Sequence, residues 1–160
     1  MSSIGFDPKY LQGGDTPWLP FTPYNADVGI KLLHVDQSRG EMALLMRVPA
    51  GTFLGAHNHR GRVVLYTIQG GWRYMEHDWV ARAGDFVYET AGSRHSFQGE
   101  AGDDALLFVL LDGSLEFLDE AGNVAAIEDW RSMLERLNAH CEETNMPVPE
   151  LSEFPQATHA

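Results

Sequence analysis

Two histidines separated by a single residue, His57 and His59, are the first feature of the sequence that could do chemistry. In an extended strand, alternate side chains lie on one face about 6.5–7 Å apart, so two imidazoles can converge on one ion. An H-x-H pair is also typical of two exposed polar residues on a sheet. The metal hypothesis therefore depends on a second segment, in which Glu89 precedes His95 by six residues.

The elements that must position these residues are short apolar segments separated by turns. Glycines mark most of the turns, and the pair Gly70–Gly71 predicts a hairpin. Many short strands at this spacing predict an all-β sandwich or barrel. The predicted strands are Val28–Val35, Met42–Val48, Arg62–Ile68, Trp72–Met75, Phe86–Tyr88, His95–Phe97, Leu106–Leu111 and Leu115–Leu118.

The ends of the chain differ from this central part. Residues 1–26 alternate prolines with aromatic residues, which predicts an extended N-terminal arm that is neither helix nor central strand. Helical spacing of apolar residues, from Ile127 to Cys141, predicts one helix over 127–146. The barrel is predicted over 27–126 and a flexible tail over 147–160, all within one domain.

Composition excludes several classes of partner. Lys and Arg number 11 against 23 Asp and Glu, a formal charge of -12, so the chain repels phosphate backbones and anionic membrane surfaces. The longest apolar run, Ala105–Leu111, is too short to span a bilayer. We expect no nucleic-acid partner, no membrane, no secretory signal and a cytoplasmic location. Cys141 is the sole cysteine, so no intrachain disulfide can form.

The two histidine segments resemble the two sequence motifs of the cupin superfamily. The resemblance implies a single-domain jelly-roll barrel, with the proline-rich arm before it and the α-helix after it. It also implies one metal bound by the motif histidines. The matching positions are Gly51, His57, His59 and Gly70 in the first motif, and Gly84, Gly92 and His95 in the second.

The chain departs from the cupin motifs at three positions. Val63 or Val64 stands where the usual metal-binding glutamate is expected, Thr90 replaces a proline, and Gly99 replaces an asparagine. A site of three histidines alone carries no ligand charge. It leaves up to three coordination positions open, and open positions are what a catalytic metal needs.

A narrower resemblance extends over residues 17–146. The chain resembles the 2,4'-dihydroxyacetophenone dioxygenase-like cupins, which are similar to acetylacetone-cleaving dioxygenases. The segments that carry it are Trp18–Phe21, Tyr66–Ile68, Trp72–Tyr74, Glu76–Ala81, Gly122–Val124 with Glu128–Asp129, and the helix with Leu137 and Ala139–His140.

This resemblance implies a mononuclear non-haem Fe(II) dioxygenase. His57, His59 and His95 would hold one divalent metal per chain, Fe(II) in the active protein and Zn or Ni in some purified samples. The implied substrates are dioxygen and a small diketone or hydroxyketone, aromatic ones included, whose C–C bond is cleaved. Glu89 matches a glutamate near the site. It could act as catalytic base, as a ligand, or as a hydrogen-bond partner of a ligating histidine, or it could be a solvated carboxylate in a turn.

Two other classes of function stay open at this point. One is a non-catalytic cupin whose metal only rigidifies a ligand pocket. The other is a redox-neutral metal-dependent isomerase, lyase or hydrolase. Oxygen uptake separates the dioxygenase from both.

Three further residues are candidates for the substrate pocket. Tyr66, two residues after Val64, shares a predicted face with it, although this position favours a barrel-wall residue over a substrate contact. Arg73 could face an anionic substrate, although a strand arginine is usually part of a surface ion pair. Phe97 is the third candidate.

The N-terminal arm is suited to lie across the sheet edge of a partner subunit, so we expect a homodimer or homotetramer.

Overall fold

A computed structural model describes residues 8–152 of the chain. Two antiparallel six-stranded sheets form a β-sandwich, and one α-helix follows them. The elements are β1 (Leu19–Phe21), β2 (Asn25–Asp36), β3 (Glu41–Val48), β4 (Phe53–His59), β5 (Val63–Gln69), β6 (Gly71–Tyr74), β7 (Ala81–Arg82), β8 (Phe86–Glu89), β9 (Arg94–Gly99), β10 (Ala105–Asp112), β11 (Leu115–Leu118), β12 (Val124–Glu128) and α1 (Trp130–Glu143).

The strands are divided between the sheets as in a jelly roll. Sheet A has the order β1-β2-β3-β10-β5-β8, and sheet B has the order β12-β11-β4-β9-β6-β7. Burial alternates along the long strands, so the inward residues of both sheets meet in one core. This confirms the predicted all-β barrel with a single C-terminal helix.

The predicted hairpin at Gly70–Gly71 is wrong. The strands on either side, β5 and β6, belong to different sheets, so the chain turns a corner of the sandwich there. Gly70 has φ +75°, and a Cβ at this position would collide with the backbone of Asp104. The positive φ and the nearby backbone of Asp104 therefore both require glycine at position 70. Neither requirement implies that the flanking strands pair with each other.

The arm and the helix lie differently from the predicted boundaries. Part of the predicted arm forms β1, which pairs with β2 of the same chain at the edge of sheet A. The helix begins at Trp130 rather than at residue 127, because residues 124–128 continue as a strand paired with β11. Asp129 then caps the helix, accepting hydrogen bonds from the backbone of Arg131 and Ser132. The helix buries Met133, Leu137 and Cys141, as its spacing predicts.

Part of the predicted tail packs against the rest of the protein. Leu151 is buried, and Ser152 forms a parallel bridge with Val35. Of the predicted flexible tail, Leu151 and Ser152 are thus held against the sheet. Residues 1–7 of the arm and 153–160 of the tail lie outside the described residues. Within 8–152, no helix is long and apolar enough to cross a membrane.

Candidate metal centre

Three buried histidines meet inside the barrel on neighbouring strands of sheet B. His57 and His59 lie two residues apart on β4, and His95 on β9 is the register partner of His57. One ring nitrogen of each lies within 4.8 Å of those of the other two. The ring centroids are 4.7–5.1 Å apart. The predicted H-x-H pair and the predicted third histidine therefore form one cluster.

Local contacts orient two of the three rings. The Nδ1 atom of His57 lies 2.8 Å from the carbonyl oxygen of Gly55, which leaves Nε2 to face the cluster. His95 stacks on Tyr74 with 3.7 Å between ring centroids, and its Nε2 atom is buried without a hydrogen-bond partner among the described residues. Such fixed rings with free nitrogens are typical of metal ligands.

Burial keeps the three imidazoles neutral. It lowers the pKa of all three histidines below the ordinary value of 6.5, to about 3 for His59, where His57 adds a smaller repulsive effect. Because a metal binds the unprotonated nitrogen, the cluster is ready for a cation at neutral pH.

Glu89 reaches the histidines from the opposite sheet. It ends β8, the edge strand of sheet A, and its register partner is Val63. The Oε2 atom lies 3.6 Å from Nε2 of His59 and 3.5 Å from Nε2 of His95. Val63 occupies a position at which the cupin motif usually has glutamate. The chain thus supplies a carboxylate from the neighbouring strand, directly across from the place where the motif would put it.

The carboxylate of Glu89 is buried and has no hydrogen-bond donor of good geometry among the described residues. Burial raises its pKa to about 7, an effect that the nearby hydroxyls of Tyr74 and Ser93 only partly oppose. A buried acid that titrates near neutrality can take up and release a proton under working conditions. Burial and Glu89 together raise the pKa of Tyr74, so that phenol stays protonated.

These donors fit a divalent metal. With metal–ligand bonds of about 2.0–2.2 Å, neighbouring donors in a tetrahedral site stand roughly 3.3–3.6 Å apart. The Glu89 oxygen stands at that separation from two histidine nitrogens. Glu89 and His95 also have buried polar atoms without a partner among the described residues, and a bound cation would satisfy them, as buried polar groups normally are satisfied.

Two spaces meet at the cluster. The inner chamber, about 70 Å³, lies in the barrel and is lined by His57, His59 and apolar side chains such as Phe97. The outer cleft, about 610 Å³, opens between the sheet edges and is lined by Glu89 and His95. Tyr74 lines both spaces. The histidines therefore form part of the wall between an apolar inner volume and a more open cleft of mixed polar and apolar lining.

Two of the three predicted pocket residues lie elsewhere. Tyr66 points away from the barrel and is 46% exposed, because its neighbours Leu65 and Thr67 take the inward positions of β5. Arg73 also faces outward, with its Nε atom 3.6 Å from Glu100. The prediction that they line the pocket is therefore wrong. Phe97 does line the inner chamber.

Sequence reasoning did not assign Tyr74 to the site, although it stacks on His95. A signal was present, since alternation along β6 places Tyr74 on the same face as the buried Trp72. Phe117 was missed in the same way. It pairs in register with His57, with 5.4 Å between the ring centroids.

Comparison with known proteins places these observations in a family. Residues 7–114 match the model of the ChrR cupin-like domain. An RmlC-like cupin protein from Ralstonia eutropha JMP134 has a similar structure, with 42% identity over 93% of this chain and 96% of that chain and a TM-score of 0.88. No curated protein matches the chain.

Two more distant structures share the fold. One is an acetylacetone dioxygenase from Acinetobacter johnsonii, with 18% identity over 87% of this chain and 95% of that chain and a TM-score of 0.74. The other is the anti-sigma factor ChrR of Rhodobacter sphaeroides, with 23% identity, a TM-score of 0.53, and coverage of 63% of this chain and 52% of that chain. The chain belongs to the ChrR cupin-like family of the cupin superfamily.

Proposed function

We propose that this cupin is a mononuclear Fe(II) dioxygenase that cleaves a C–C bond of a small diketone or hydroxyketone. One observation carries the proposal: an unpartnered buried carboxylate, Glu89, lies about one ligand spacing from two nitrogens of the histidine cluster. The same residue lines the outer cleft, so a substrate bound there could reach its carboxylate. The structural likeness to an acetylacetone dioxygenase supports the reaction class.

His57, His59 and His95 would hold the iron as neutral ligands. Three imidazoles leave its charge undiminished, so the bound ion would act as a Lewis acid on substrate oxygens and would provide the place where dioxygen reacts. Both atoms of dioxygen enter the products of such a cleavage, a carboxylic acid and a carbonyl compound. The reaction therefore needs no external reductant.

Glu89 would remove the proton between the two carbonyl groups of the substrate. Its pKa of about 7 matches this task, because a base is most effective when its pKa lies near the working pH. The proton would come to rest on the carboxylate, and the substrate would become an electron-rich enolate that dioxygen can oxidise. Tyr74, protonated and next to Glu89, stacks on His95 and would hold that ring beside the carboxylate.

The inner chamber would receive the apolar part of the substrate. Its lining is almost wholly apolar beyond His57 and His59, so it would exclude water from that part of the substrate. A volume of about 70 Å³ has room for a few water-sized groups. Small substituents would therefore be preferred over long chains.

The test is oxygen consumption by metal-stripped protein reloaded anaerobically with Fe(II). A panel of β-diketones and hydroxyacetophenones is offered, and Zn(II)-loaded protein is the control. Uptake with iron alone is expected, and it should disappear in His95→Ala but persist in His140→Ala, whose histidine lies on the helix. Stoichiometric iron without uptake on any substrate would contradict the proposal.

Glu89→Gln separates the roles of this residue. As a base, Glu89 should contribute about 10²–10⁴-fold to the rate, so the variant loses turnover while its iron content is unchanged. Glu116→Gln is a matched control, since that carboxylate is also little exposed but pairs with Arg60 away from the site. Loss of iron from Glu89→Gln would make Glu89 a ligand, and full activity would refute both roles.

A non-catalytic role is the second candidate, because the matching family model takes its description from ChrR and an anti-sigma protein shares the fold. In that case the metal-loaded protein would bind a small ligand or a partner without consuming oxygen. A redox-neutral isomerase or lyase would convert its substrate equally well with Zn(II). The same oxygen measurement distinguishes both from the dioxygenase.

A further inference from the structure

The outer face of sheet A is apolar across four adjacent strands, β3, β10, β5 and β8. Strand register aligns its side chains in rows that run across the sheet. Outward positions on these strands would normally be polar, because one face of such a sheet packs on the core and the other meets water. The two rows are Leu45, Phe108, Tyr66 and Phe86, and Ala43, Leu110, Val64 and Tyr88.

Large parts of these side chains are uncovered. Phe86 is 62% exposed, Tyr88 54% and Tyr66 46%, and the neighbouring Ile68 is 45% exposed. Adjacent strands lie about 4.8 Å apart, and successive outward residues along one strand lie about 6.8 Å apart. With the widths of the side chains included, the two rows and Ile68 therefore cover roughly 20 Å by 20 Å. An apolar patch of roughly 400 Å² is as large as the largest patch on a typical monomer, and such patches are often functional.

The outer face of sheet B is different. Glu116 pairs with Arg60 and lies next to Asn58, and Arg94 and Gln98 occupy outward positions on β9. Sheet B thus carries charged and amide side chains among its outward apolar residues, such as Phe53 and Ile127, whereas the two rows on sheet A contain none. The helix packs mainly against β1, β2 and β12, so it leaves the apolar strands uncovered.

We propose that a second copy of this chain covers the outer face of sheet A, forming a two-fold symmetric dimer by sheet-on-sheet packing. A flat sheet face is self-complementary, as an isologous interface requires. The patch and its polar rim together approach the ~800 Å² per partner of a standard stable interface. Strand β1, which lies within the arm, pairs with β2 of its own chain.

Charges at the two ends of the face favour one orientation. At one end, Arg47 and Lys31 lie over the ring of Trp18 and have no acidic partner among the described residues. At the other end, Glu41 and Asp112 share the single cation Arg62. A two-fold axis that lies parallel to the sheets and across the strands brings the basic end of each copy against the acidic end of the other. An axis along the strands would place like charges together.

The proposed interface also bears on the edge strand β8. Phe86 and Tyr88 point outward on this strand, and Glu89 points inward to the histidines. An edge strand has a paired neighbour on only one side and presents unpaired backbone groups on the other. Packing of a second copy against Phe86 and Tyr88 would therefore hold in place the strand that carries the buried carboxylate.

Sedimentation equilibrium of the full chain at micromolar concentration tests the proposal. We expect a particle of twice the 17.8 kDa chain mass. Phe86→Lys and Tyr66→Lys should each weaken the dimer at least about thirtyfold, as loss of an interface hot spot does. Phe53→Lys is the matched control, because Phe53 is 50% exposed but lies on β4 of sheet B. Since all three positions face outward, circular dichroism should show folded protein in each case.

Two results would overturn the proposal. One is a monomeric wild-type protein at micromolar concentration. The other is a dimer that withstands both Phe86→Lys and Tyr66→Lys. If Phe53→Lys dissociates that resistant dimer, the contact lies on sheet B.

Discussion

Replacing Glu89 by glutamine should stabilise the metal-free protein at alkaline pH. The pKa of this buried carboxyl group is raised from 4.5 to about 7 in the folded state. The folded protein therefore keeps a proton that the unfolded chain releases, and stability falls as pH rises from about 4.5 to about 7. Glutamine fills the same space and does not ionise, so this loss is absent from Glu89→Gln.

The size of the effect follows from the linkage of pKa to stability. Between pH 5 and pH 8, the free energy of unfolding of Glu89→Gln should rise by about 2.5 kcal/mol relative to the wild-type protein, at 1.36 kcal/mol per pKa unit. Burial lowers the pKa values of the three histidines and destabilises the fold as pH falls below 6.5. That change is common to both proteins and cancels in the difference.

Urea unfolding followed by tryptophan fluorescence measures this difference, with chelator present and at one protein concentration. Trp72 is fully buried and reports on loss of the core. Glu116→Gln is the control with the opposite sign, because Arg60 lowers the pKa of Glu116 and its contribution is lost as pH falls. A difference between Glu89→Gln and wild type that does not change with pH would refute the argument that Glu89 is an ionised, unpartnered group.

Three further outcomes are expected. Removing metal with a chelator should lower the melting temperature, and restoring Zn(II) should recover it in wild type but not in His57→Ala, as calorimetry would show. Asp129→Ala removes the helix cap and should cost about 1 kcal/mol in urea unfolding, whereas Asp129→Asn should cost less. Trp72→Ala removes a ring stacked on Phe97 and a hydrogen bond to Thr67, and should cost about 3–5 kcal/mol by the same measurement.

Local patterns in the sequence were sufficient for several features. Alternation along a strand places His57 and His59 on one face wherever that strand lies in the fold. Glycine turns and short apolar runs predict an all-β sandwich, because two-residue periodicity allows few other architectures. Apolar residues at helical spacing predict the buried face of α1, as Met133 and Leu137 confirm.

Other features depend on which strands become neighbours. Glu89 meets the histidines because the edge strand of sheet A lies across the barrel from β4 and β9, and no spacing along the chain encodes that approach. Tyr66 lies outside because the register of β5 turns Leu65 and Thr67 inward, and a shift of one residue would have reversed this.

The sequence by itself determined which side chains were available for metal chemistry and roughly what fold would carry them, since both follow from residue types and local periodicity. Val63 occupies a position where the motif has glutamate. Only the tertiary structure decided that Glu89, its register partner on the adjacent strand, supplies a carboxylate there. It also decided that Phe108 faces outward on sheet A, although the continuous apolar segment Ala105–Leu111 predicts a strand buried on both faces. The physical reason is that strand pairing and register are set by contacts between residues far apart in the chain.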